Sequence, residues 1–220
     1  MFLLRIFLRT LLYCIEKERV GWRLLGRGLF IVLEGIDGAG KTSVANKLVE
    51  DLESAGYRVV YTYEPYDTLY IEILKKQYNE YRDAFLDALT YAADRLIHLK
   101  KVILPHLREG AIVICDRYFY SSVAYQTAQG ASLDWVLEVN SFALKPDLAI
   151  YLDVEPDVGI KRRSGLSSRF PEYEELEFLK RVRNNYLELV KKGLLRLIDA
   201  NRSFDEVYSD VKRIVFDLLF

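Results

Sequence analysis

Eight consecutive residues, Gly35-Ile36-Asp37-Gly38-Ala39-Gly40-Lys41-Thr42, hold the plainest chemistry in this chain. Their spacing fits the Walker A pattern in full. Glycines let a backbone approach phosphate and adopt conformations closed to other residues. Successive N–H groups from Gly35 to Ser43 then point at the anion, aided by the positive end of the helix that follows. Lys41 brings a positive charge to the outer phosphates, and Thr42 brings a hydroxyl for Mg²⁺. Lys41 is expected to be partly solvated rather than part of the core. By itself the loop specifies a nucleoside triphosphate such as ATP.

Asp116 is the next group with chemistry. It closes the apolar run Ala111-Ile112-Val113-Ile114-Cys115. A carboxylate at the C-terminal end of such a strand holds Mg²⁺, directly or through water, or else caps a helix or pairs with Arg117. Tyr91 and Arg95 stand four apart in a helical pattern and share one face. That arrangement suits a base, with a ring to stack and a guanidinium to donate. Taken alone, such spacing is more often packing plus a surface charge.

These residues need elements to position them. Leu29 to Leu33 is a short apolar run that ends in the Gly-rich loop, as a buried parallel strand does. A helical pattern runs from Lys41 to Ala55 and stops at Gly56. Further strands are expected at Arg58 to Tyr61, Ala111 to Cys115, Leu148 to Leu152 and Leu194 to Ile198. From about Asp83 to Arg108 the spacing is helical, with Pro105 bending or breaking it. Strands alternating with helices predict an α/β fold: a five-stranded parallel sheet between helices, in the manner of P-loop NTPases. The polar, basic stretch Arg163 to Pro171 reads as a small mobile lid.

The segment Asp116-Arg117-Tyr118-Phe119-Tyr120-Ser121-Ser122-Val123-Ala124-Tyr125-Gln126, together with the phosphate loop and Tyr91-Ala92-Ala93-Asp94-Arg95, resembles the thymidylate kinase family. His98, Lys145-Pro146-Asp147-Leu148 and Tyr151-Leu152-Asp153-Val154 extend the resemblance, which runs from about Leu29 to Val207. It implies transfer of the γ-phosphate of ATP to dTMP, with Mg²⁺, in a homodimer. At matching positions it implies that Tyr91 stacks on thymine and that Arg95 reaches a thymine carbonyl. Arg117 would bind the dTMP phosphate, and Ser121, Ser122 and Tyr125 would line the base and sugar pocket. Asp37 would approach the 3′-hydroxyl and the acceptor phosphate, and Arg162 would pack by adenine. Some members carry an arginine inside the phosphate loop. Here Gly38 stands in its place, so Arg169 in the lid is the arginine expected at the transferring phosphate. The expected catalytic set is Lys41, Asp37, Arg117 and Arg169. In the family's Arg-Glu-Pro segment Tyr63 replaces the arginine before Glu64 and Pro65, and Tyr66-Asp67 replaces a frequent Gly-Gly. Arg117 is left with more of the acceptor-phosphate clamp.

The remaining composition sets bounds. A net charge of −1 over 220 residues leaves no global basic field, so no nucleic acid partner is expected. The two cysteines, Cys14 and Cys115, lack metal or redox spacing and suit a reducing compartment, here the cytoplasm. Abundant Lys, Arg and Glu with scarce Met, Gln and Asn is a bias seen in thermophile proteins. No stretch reaches the roughly 18–20 apolar residues that span a bilayer, so no stable membrane insertion is expected. Residues 1–28 read as a non-catalytic extension, with Met1 to Leu12 patterned like an amphipathic surface helix and a docking role as the alternative. Residues 29–220 form the kinase domain. A kinase for another nucleoside monophosphate or a nucleoside, and a low-turnover nucleotide-binding regulator, are the competing readings.

Overall fold

The computed structural model describes residues 28–66, 69–163 and 175–219. Apart from Gly28, the expected extension lies outside the described residues, as do Asp67 and nearly all of the expected lid, including Arg169. Five strands, β1 (Phe30–Glu34), β2 (Val59–Tyr63), β3 (Ile112–Asp116), β4 (Leu148–Asp153) and β5 (Arg196–Asp199), form one parallel sheet in the order β2-β3-β1-β4-β5. The helices are α1 (Lys41–Ser54), α2 (Leu69–Gln77), α3 (Ala84–His98), α4 (Leu104–Arg108), α5 (Phe119–Ala128), α6 (Leu133–Val139), α7 (Pro156–Arg163), α8 (Leu176–Lys191) and α9 (Phe204–Leu219). Among the described residues no helix is long and apolar enough to cross a membrane.

Every residue of β1 and β3 is buried, which is why both read as apolar runs. The fifth strand starts later than the apolar run suggests. Gly193 is left-handed at φ 70°, and the Leu194 N–H turns back to the Leu189 carbonyl, so Leu194 ends a helix rather than starting a strand. The long helical pattern around Pro105 also resolves locally. Asp83 caps α3 by accepting from the N–H groups of Phe85 and Leu86. A widened turn, Leu99–Ile103, joins α3 to α4 and accommodates the N–H that Pro105 lacks. His106 Nδ1 donates to the Val102 carbonyl there at 2.7 Å.

The sheet order positions the site. β1 has β3 on one side and β4 on the other, so successive connections leave it in opposite directions and open a crevice at the strands' C-terminal ends. β1 runs into the Gly-rich loop and β3 into Asp116-Arg117. Register pairs Asp116 with Leu33 on one flank and with Tyr63 on the other. The ends of three strands therefore meet at one row.

Candidate active site

A cavity of about 260 Å³ lies at those strand ends. Two hydrogen-bonded clusters contribute to its walls. Asp37, Lys41, Thr42, Asp116 and Arg117 belong to the first, and Tyr91, Arg95, Ser122 and Gln126 line the same cavity.

The Gly-rich loop uses its glycines where the backbone demands them. Gly38 has φ 82°, and a Cβ there would sit 2.1 Å from the Gly159 carbonyl oxygen of α7. No side chain fits at this position, so the loop has no room for an arginine of its own. Lys41 is not partly solvated as expected. It is 6% exposed, because the loop curls over the ammonium and Nζ donates to the Ile36 carbonyl at 3.0 Å. Burial and the neighbouring Arg117 push the Lys41 ammonium down from its ordinary pKa, while Asp116, Asp37 and Glu34 act the other way.

Asp37 is the meeting point of the positive groups. Arg117 Nη2 donates to its Oδ1, Arg163 Nη1 donates to its Oδ2 at 2.9 Å, and Lys41 Nζ lies 3.9 Å away. Burial alone would raise its pKa, but Arg117, Lys41 and Arg163 hold the carboxyl well below the usual carboxylate range. Thr42 Oγ1 donates to Asp116 Oδ2 at 2.6 Å, which brings two hard oxygen atoms together at the start of α1. Ser43 follows, exposed, in the same first turn.

Arg117 occupies a left-handed conformation, φ 70°, unusual for a side-chain-bearing residue. Its N–H donates to the Leu33 carbonyl at 2.9 Å, its Nη1 to Ser121 Oγ at 3.1 Å, and its guanidinium lies 5.3 Å from the Tyr125 ring. What holds this turn is Glu34, a residue that the sequence reading passed over. Glu34 is fully buried and accepts from the backbone N–H groups of Tyr118 and Ser121, from Ser121 Oγ at 2.6 Å and from Tyr186 Oη at 2.9 Å. Burial raises its pKa, and those donors with Arg117 oppose the rise. The available signal was an acid closing an otherwise apolar strand, directly before the loop.

The second cluster is tied off differently. Arg95 is buried, donates through Nε to Glu64 Oε2 at 2.7 Å and through Nη2 to Ser122 Oγ at 3.1 Å, and reaches Asn140 Oδ1 through Nη1. His98 is also buried. Its Nδ1 faces Glu64 Oε1, its Nε2 faces Thr62 Oγ1, and its ring stacks on Tyr66 at 4.7 Å. The Tyr66 N–H donates to Asp94. Tyr66 thus packs the end of β2 onto α3, where the resemblance had suggested glycine. Tyr63 is 43% exposed on the cavity wall. Gln126 was left out of the expected pocket, although its place at the end of the quoted motif was visible. It is buried, lines the cavity, and its carbonyl oxygen has no partner among the described residues. Arg162 lies apart from both clusters, donating to the carbonyls of Ala200 and Arg202.

Comparison with known proteins adds an independent line. The sequence pattern of the family described as Thymidylate kinase matches residues 33–211. The chain is 68% identical over 192 residues to a protein of Staphylothermus marinus named "Probable thymidylate kinase", covering 87% of this chain and 96% of that one. It is 44% identical over 200 residues to a "Probable thymidylate kinase" of Pyrococcus horikoshii, covering 86% and 96%. A "Thymidylate kinase" of Shouchella clausii is 43% identical over 197 residues, covering 84% and 92%.

Proposed function

The chain belongs to the thymidylate kinase family and phosphorylates dTMP, and we propose that it does so with ATP and Mg²⁺ through the residues gathered around Asp37 and Arg95. The observation that carries this reading is the convergence of Lys41, Arg117 and Arg163 on Asp37 beside a cavity whose other cluster presents hydrogen-bonding groups suited to a base.

ATP phosphates lie in the loop Gly35 to Ser43, with Lys41 at the outer phosphates and Arg162 beside adenine. The dTMP phosphate meets Arg117, and Asp37 addresses the 3′-hydroxyl and the acceptor phosphate. Tyr91 stacks on thymine, Arg95 donates to a ring carbonyl, and the free Gln126 oxygen takes the neighbouring ring N–H. Ser121, Ser122 and Tyr125 line base and sugar. An acceptor phosphate oxygen attacks the γ-phosphorus in line, and the bond to the ADP oxygen breaks. This chemistry gains from positioning and from cations that meet developing charge, so no covalent nucleophile is required. Arg163, held on Asp37 Oδ2, brings a second guanidinium beside Arg117. Arg169 adds charge at the transferring phosphoryl group.

The Thr42 hydroxyl and the Asp116 carboxylate are oxygen donors of the kind Mg²⁺ takes. They meet through a 2.6 Å hydrogen bond and would hold the ion together with the phosphates of ATP. When bound, Mg²⁺ neutralises phosphate charge. The protein is assigned to the cytoplasm. Its homodimer packs through the outer face of α3, where Phe85, Leu89 and Leu96 stay exposed at helical spacing. ADP formation measured with and without dTMP tests the reading. Turnover should depend on dTMP, with little hydrolysis in its absence; ADP release indifferent to dTMP would contradict it.

A further inference from the structure

Gln126 ends α5's cavity-lining face, and its amide is not free to turn. Its Nε2 donates to Gln129 Oε1 at 3.1 Å. Gln129 Nε2 in turn donates to Asp87 Oδ2 at 3.1 Å. Asp87 is fully buried in the first turn of α3, where Arg82 grips both of its oxygens, Nε to Oδ1 at 2.8 Å and Nη2 to Oδ2 at 2.9 Å. An ionised carboxylate only accepts hydrogen bonds. That single fact sets the polarity of the whole chain. Asp87 demands the nitrogen end of Gln129, which turns the Gln129 oxygen toward Gln126. Gln126 must answer with its own nitrogen. Its oxygen is then the end left over, on a buried residue that lines the cavity, with no partner among the described residues. A buried acceptor without a donor is costly, so the site favours a ligand that supplies one.

We propose that Gln129, polarised by the Asp87–Arg82 pair, is a positioning residue that locks the Gln126 amide oxygen as an acceptor and so selects bases with a ring N–H beside a carbonyl. This rests on the placement of the base beside Gln126 and Arg95. Thymine and uracil present a carbonyl and an N–H side by side, complementary to the donor Arg95 and the acceptor Gln126. Cytosine presents an amino donor and a bare ring nitrogen, the opposite at both positions. The carboxylate thus reads the base at a distance, through two amides, without touching it. The relay is blind to the 5-methyl group, which separates its contribution from whatever reads that group.

The experiment compares dTMP, dUMP and dCMP as acceptors for the wild-type enzyme, Gln129→Met, Gln129→Ala and Gln126→Met. Either substitution at 129 removes the amide and frees the Gln126 amide to flip. The preference for dTMP over dCMP, as a ratio of kcat/KM, should then fall by roughly tenfold or more, since a polar site set for the wrong hydrogen-bonding pattern is what rejects such analogues. The KM for dTMP should rise, the dTMP-to-dUMP preference should stay where it is, and the KM for ATP should not move. A merely structural role for Gln129 would shift all three acceptors together. If both Gln129 variants keep the wild-type dTMP-to-dCMP ratio while Gln126→Met loses it, the relay is refuted and the base placement stands. If Gln126→Met also leaves the ratio intact, the placement itself is refuted and the relay with it.

Discussion

Arg95 engages Glu64, Ser122 and Asn140, each through a different nitrogen, whereas Arg117 and Arg163 close on one carboxylate, Asp37, with Lys41 beside them. Both sets line or border one cavity, yet they manage charge differently. Around Asp37 three cations converge on one acid that is itself partly open to solvent, with Asp116 and the buried Glu34 close by, so the positive groups are gathered in one place rather than each fixed by its own acid. Around Arg95 the guanidinium is neutralised by a buried glutamate and fixed by neutral oxygens, so what remains is N–H directionality. The lesson is that burial with a matched acid turns a charged side chain into a hydrogen-bond ruler, while a shared, outnumbered acid keeps arginines electrostatic.

The largest effect should come from the electrostatic set. Lys41→Met fills the same narrow space without the charge, so kcat should fall by roughly 10²-fold or more, in line with the loss of a single preorganised donor at a site of developing charge. Because Lys41 is buried, methionine rather than alanine keeps the packing, and the melting temperature should remain close to wild type. Near-normal turnover in that variant would remove Lys41 from the chemistry and blur the contrast between the clusters.

A smaller effect sharpens the same contrast through pH. Asp37 is depressed below its ordinary value of 3.8, so its contribution to stability is present above that pH and is lost as pH falls through it toward the folded value. Asp37→Asn should be less stable than wild type at neutral pH, and the gap should close on acidification below pH 3.8. Thermal melts across that range check this. A gap that stays constant would mean that the arginines do not hold Asp37 by charge. The effect should be modest, because the Asp37 side chain is 45% exposed and solvent screens the pairs.

The two clusters also differ in how far they were legible beforehand. The phosphate loop is a local object: glycines, Lys41 and Thr42 lie within eight residues, between a strand and a helix, and their backbone roles follow from spacing alone. The inner strands β1, β3 and β4 were legible for the same reason, since buried strands must be apolar runs. What spacing does not convey is depth. Lys41 was expected near solvent because lysine usually is, and only the curl of the loop against α7 encloses it. The Arg95 cluster draws on β2, α3, α5 and the residue after α6, so Glu64, Asn140 and the Gln126–Gln129–Asp87 relay become neighbours only on folding. Glu34 is intermediate. It sits next to the loop in sequence, but its partners, Ser121 and Tyr186, are brought by two separate helices.

The division of the cavity into an electrostatic set and a directional set is tested most directly by calorimetric binding of dTMP and of thymidine, which lacks the phosphate, to wild type, Arg117→Ala and Arg95→Ala. Charged hydrogen bonds are worth about 1.5–3 kcal/mol, so Arg117→Ala should remove roughly ten- to a hundredfold of the dTMP affinity and leave thymidine binding almost unchanged. Arg95→Ala should weaken both ligands by the same factor. If Arg117→Ala weakens thymidine as much as dTMP, the guanidinium is not the phosphate contact and the division is wrong.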